Sequence, residues 1–187
     1  MIKTLYPNTE LKKIIKDFYS DYNRTAESTK KEYLMTLPIG AKIPDESRIY
    51  DAEELERFKE RASQKRAKAL SIVDEHLTDV REKMTEAPST DAVSTITLLN
   101  SRQNITENEI NHLVEAYGDN YQSYKAIQDI GTKNNIRIPE HILTKQEESL
   151  NNLRHSVDSA LTYETASRRS QGFYDFLAVE VDGTIVD

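Results

Sequence analysis

Glu109-Ile-Asn-His112 is the stretch of this sequence whose residue types and spacing come nearest to a chemical device. Glu-x-x-His sets a carboxylate and an imidazole on one helix face, the ligand pattern of carboxylate-bridged di-metal bundles. Such a centre needs a second Glu-x-x-His and two further inward glutamates. Of the four histidines, His76, His141 and His155 do not repeat the spacing. Glu109 also stands three residues after Thr106, where it completes a capping box. The expectation is therefore a capped helix start and no metal. Asp74-Glu75-His76, with Asp79 one turn beyond Glu75, reads as a charged helix face.

Other chemistries find less. With no Cys there is no thiolate nucleophile, no thiolate metal site and no disulfide. His-Glu-x-x-His, a Walker loop, Gly-x-Ser-x-Gly and an EF-hand loop are absent. Five glycines, each at an apparent turn or cap, leave little backbone to cradle a phosphate. The sequence predicts a protein that is not an enzyme and carries no cofactor.

Nucleic-acid binding rests on Arg57, Lys59, Arg61, Lys65, Arg66 and Lys68, with Glu60 the only acid between them. On a helix, Arg57, Arg61, Lys65 and Lys68 form one ridge away from the apolar stripe, able to contact phosphates. Lys59 and Arg66 fall nearer the stripe and must snorkel or pair with acids. No aromatic residue interleaves the ridge, and the chain as a whole carries a formal charge of −7. The ridge is the alternative reading, and a solvated, acid-balanced face is preferred.

The element that carries this ridge dominates the chain. Residues 51–87 contain neither Gly nor Pro and read as one amphipathic helix, about 55 Å long at 1.5 Å per residue. Asp51 is its cap, with Glu54 at the third helical position. Leu55, Phe58, Ala62, Ala69, Val73, Leu77, Val80, Met84 and Ala87 recur every three or four residues. A strict heptad would demand Lys65 in the seam, so a bundle helix is preferred over a long coiled coil.

Before it, Asn8 or Thr9 caps a first helix marked by Leu11, Ile14, Ile15, Phe18 and Tyr22, continuing less regularly through Ala26, Tyr33 and Leu34. Leu37 to Pro44 is an extended connector, laid over a core by Ile39 and Ile43. After Pro88, Ser89, Thr90 or Asp91 caps a short helix to about Arg102. Thr106 and Glu109 open the next, with Ile105 and Ile110 as a hydrophobic staple and Gly118 as a left-handed cap. Asp119 with Gln122 begins another, closed by Gly131. This helical corner has the outline of a DNA-binding helix-turn-helix, but residues 120–130 offer one cation and one acid, too few to hold phosphates. A second long helix is expected over 140–170, with Leu150, Leu153, Val157 and Leu161 in a seam diluted by Gln146 and Glu164.

The segment Glu115-Ala-Tyr-Gly-Asp-Asn-Tyr-Gln-Ser-Tyr-Lys-Ala-Ile-Gln-Asp-Ile-Gly131, after two mixed-charge helices, resembles small helical proteins of bacteriophages and prophages of Gram-positive bacteria. The likeness covers about a third of the chain. It implies a structural role in virion assembly, with other phage structural proteins as partners, and assigns no residue a role.

From Phe173 the spacing predicts alternation at period two, in which Val179 and Val181 share one set. Asp182-Gly183 makes a turn and Ile185-Val186 returns antiparallel as a β-hairpin, with Asp187 in mid-strand and the strand expected to run on. Such a hairpin needs a partner.

With 37% apolar and 30% charged residues and no Trp, the expected architecture is mainly α, an elongated bundle of thin cores over 1–172 with the hairpin at 173–187. Without a signal-like N-terminus or an apolar run long enough for a bilayer, the chain is expected in the cytoplasm and off the membrane. The stripes are too thin to stand alone. Homo-oligomerisation is therefore expected through Leu55, Phe58, Val73, Leu77, Val80, Met84, Leu150, Leu153, Val157, Leu161, Val179, Val181 and Ile185.

Overall fold

The structure is a computed structural model that describes residues 9–42, 48–102 and 104–183. Among these residues the chain is mainly helical, with eight helices and no strand: α1 (Thr9–Thr36), α2 (Ala52–Thr85), α3 (Thr90–Asn100), α4 (Glu107–Tyr117), α5 (Tyr121–Lys133), α6 (Ile142–Ala160), α7 (Tyr163–Ala166) and α8 (Gln171–Gly183). It divides into two compact units, residues 1–75 with 149–187, and residues 76–148. No helix among the described residues is long and apolar enough to cross a membrane.

In the first unit, Phe18 and Tyr22 of α1 meet Phe58 of α2, and Phe18 and Tyr19 meet Tyr174 of α8, in an aromatic nest. Leu11 and Ile15 of α1 are buried too. The Phe18 ring lies 5.7 Å from both Phe58 and Tyr174, and Tyr19 stacks on Tyr174 at 4.4 Å. Leu150, Leu153, Val157 and Leu161 are buried as well, so the thin stripes are covered within one chain. Asp51 caps α2 as expected, its carboxylate accepting from the Glu54 N–H at 2.7 Å, while the Glu54 carboxylate turns to Arg57.

The β-hairpin expected over 173–187 is not formed, and 171–183 is helix α8, packed on α1 within the first unit rather than set apart from it. The residue types explain the error. Phe173, Tyr174, Phe176, Leu177, Ala178, Val179 and Val181 are apolar at almost every step, so they satisfy period two and period 3.6 alike. Tyr174, Leu177, Ala178 and Val181, at helical spacing, are each at most 2% exposed. A two-stranded hairpin could not have buried all four. Gly183, expected in the hairpin turn, is helical and is the last of the described residues. Ile185 lies outside the described residues.

The second long helix is shorter than expected: α6 stops at Ala160, and Thr162 caps the brief α7 by accepting from the Thr165 N–H at 3.2 Å. Glu164, expected in the seam, is exposed. Ile39 does not lie over a core either. It sits fully exposed in a tight turn closed by Ala41 N–H donating to Pro38 O at 3.1 Å, with Gly40 at φ +87° as the third turn residue. Ile43 lies outside the described residues, and Ile49, a little further on, is buried.

The second unit follows its local signals closely. Ser89 caps α3, accepting from Ala92 N–H at 3.1 Å. Thr106 and Glu109 form the capping box, with Ile105 and Ile110 together in a core that includes Ala92, Ile96, Leu113, Ile127 and Ile130. Two ends differ. Gly118 has φ −71° and is not left-handed, and α5 passes Gly131 to end at Lys133, where Asn135 takes φ +58°. Gly131 serves close approach, since a Cβ there would stand 2.7 Å from Ile138 Cδ1 and 3.0 Å from Ile136 O. The cap of α5 is Asn120, not Asp119, and Gln122 donates to Met84 O at 2.6 Å.

His141 starts α6 by an uncommon route. Its Nδ1 accepts from the Leu143 N–H at 3.1 Å, so the ring proton sits on Nε2, which donates to Gly118 O at 3.1 Å. Protonation would put a second donor against the Leu143 N–H. Burial pushes the imidazole below its ordinary value, with Lys125 adding to the shift, while the Gly118 carbonyl and Asp119 oppose it. The unfolded chain takes up this proton near pH 6.5, before the folded one does. Stability from His141 is therefore complete above about pH 6.5 and declines as pH falls below it. The second unit is expected to lose hydrogen-exchange protection between pH 7 and 5.5, and His141→Asn, which retains a cap, is expected to flatten that dependence.

Candidate functional site

The ridge on α2 carried the nucleic-acid alternative, and each of its cations is met by a carboxylate. Arg57 pairs with Glu54 at 2.6 Å and Glu53 at 3.5 Å. Lys68 pairs with Glu10, Lys59 with Glu56 at 2.8 Å, and Arg66 with Asp158 at 2.7 Å. Arg61 and Lys65 do not point to open solvent. They turn onto α1 and converge on Asp21.

Asp21 is the residue that sequence reasoning missed. It lies on the inward face of α1, three residues from Phe18 and four from Thr25, and is 7% exposed. Its Oδ2 accepts from Arg61 Nε and Lys65 Nζ, both at 3.1 Å, and its Oδ1 accepts from Arg24 Nη2 at 2.9 Å. Lys65 also donates to Asp17 O at 3.1 Å, and Arg61 to the Thr25 hydroxyl at 3.3 Å. Burial pushes the Asp21 carboxyl up, but Arg61 and Lys65 together outweigh it and hold the group below its ordinary value. A carboxylate so fully engaged is a poor proton acceptor and a good clamp between helices. The available signal was a lone acid inside an apolar stripe, opposite cations spaced by four.

Beside the clamp lies an open polar groove of about 650 Å³, bordered by Arg24, Thr25, Thr29, Asp51, Glu54 and Arg57 among others. Of its arginines, Arg57 pairs with Glu53 and Glu54, while Arg24 and Arg61 reach the Asp21 carboxylate. Glu109 and His112 do not come together as ligands. Glu109 is held by Thr106 and by Arg102 at 2.7 Å, while His112 is exposed and 3.7 Å from Glu115. Among the described residues no group of three or more His, Asp and Glu could hold a metal ion.

The residues expected to mediate self-association separate into two sets. Phe58, Val73, Leu77, Val80, Leu150, Leu153, Val157, Leu161 and Val181 are each at most 7% exposed within the single chain, and Leu55 and Met84 are half-buried. Val179 alone among those described faces outward, 61% exposed, beside Phe176 at 62%. Phe173, half-buried, carries the Arg169 guanidinium 5.0 Å above its ring. Comparison with known protein families, with characterised proteins and with solved structures finds no match.

Proposed function

We propose that this chain is a non-enzymatic assembly protein that works by self-association, with virion assembly in the host cytoplasm as the setting implied by the likeness over 115–131. Other phage structural proteins are further partners on this reading. The observation that carries it is α8, apolar toward α1 and apolar again on the opposite side. Among the described residues of α8, Phe176 and Val179 are large apolar side chains left more than half exposed, the kind of surface that marks an interaction site when it is contiguous. The ridge of Arg57, Arg61, Lys65 and Lys68 gives the nucleic-acid alternative little support, because its charges are met by Glu53, Glu54, Asp21 and Glu10.

Sedimentation velocity over a micromolar concentration series tests the proposal. The expected result is a weight-average sedimentation coefficient that rises with concentration. A compact monomer at every concentration overturns it.

A further inference from the structure

We draw no further inference here: the strongest candidate, the cavity of about 260 Å³ lined by Ser89 and Asn120, the caps of α3 and α5, with the Ser123 hydroxyl lacking a hydrogen-bond partner among the described residues, carries nothing, because that hydroxyl has no surface open to the cavity and the helix starts and the exposed Asp119 beside them call for ligands of opposite charge, so nothing in the structure shows what would fill it.

Discussion

Tyr174→Ala is expected to destabilise the first unit by ~3–5 kcal/mol, the range for an aromatic removed from a packed core. Tyr174 has no exposed surface, stacks on Tyr19 at 4.4 Å, and meets Phe18 at 5.7 Å and Phe173 at 5.1 Å. Leu11, Ile15, Leu177 and Val181 on the same two helices are buried as well, which limits how far the site can close on the space left. Tyr174→Phe separates ring from hydroxyl. The hydroxyl donates to Ala160 O at 2.9 Å at the end of α6, and losing that bond is expected to cost about 1 kcal/mol. Burial first, then the neighbouring Tyr19 and Tyr22, push the phenol well above its ordinary value. Because the unfolded chain ionises near pH 10 and the folded one later, its contribution is complete below pH 10 and lost as pH rises beyond. Urea midpoints for the wild type and both variants, at pH 7 and pH 10.5, measure all three effects. Equal costs for alanine and phenylalanine would refute the packing argument.

Asp21→Asn carries the next largest effect, ~2–3 kcal/mol of lost stability at neutral pH. Removing one partner of a buried ion pair leaves the other charges uncompensated. The value lies at the low end because Arg61 and Lys65 keep 37% and 29% of their side chains exposed and can turn to water. The sign of the pH dependence follows from the lowered carboxyl. The stabilisation is complete above the unfolded value near pH 3.9 and is lost as pH falls through the folded one, so wild type and Asp21→Asn should converge in acid. Chemical denaturation from pH 7 to 2.5 checks this. Arg61→Glu, which sets two carboxylates together, should destabilise at least as much. Should Arg61→Glu instead leave stability intact while altering DNA retention at low salt, the clamp assignment is wrong.

The parts of the fold that were legible in advance are those whose cause lies within four residues. Asp51 with Glu54, Ser89 with Ala92, and Thr106 with Glu109 are hydrogen bonds between near neighbours, and they form as the letters indicate. The errors occur where local signals permit two answers. Gly118 and Gly131 look like helix ends by type, but one sits in ordinary right-handed geometry and the other makes room for Ile138. Ile39 looks like core by type and is displayed at a turn because Gly40 bends the chain there.

By itself, the sequence determined that this chain is helical, where most of its helices begin, and that α2 bears a cationic ridge, since propensity, caps and period act over one or two turns. Tertiary structure decided the rest. It made 171–183 a helix because α1 offered a groove that four side chains at helical spacing could fill. It turned Arg61 and Lys65 of the ridge onto Asp21, some 40 residues away along the chain, an encounter no local pattern encodes. It also buried the long-helix stripes within a single chain and left Phe176 and Val179 outside. Which apolar face remains uncovered depends on what the other helices have already covered, and that is known only once they are packed.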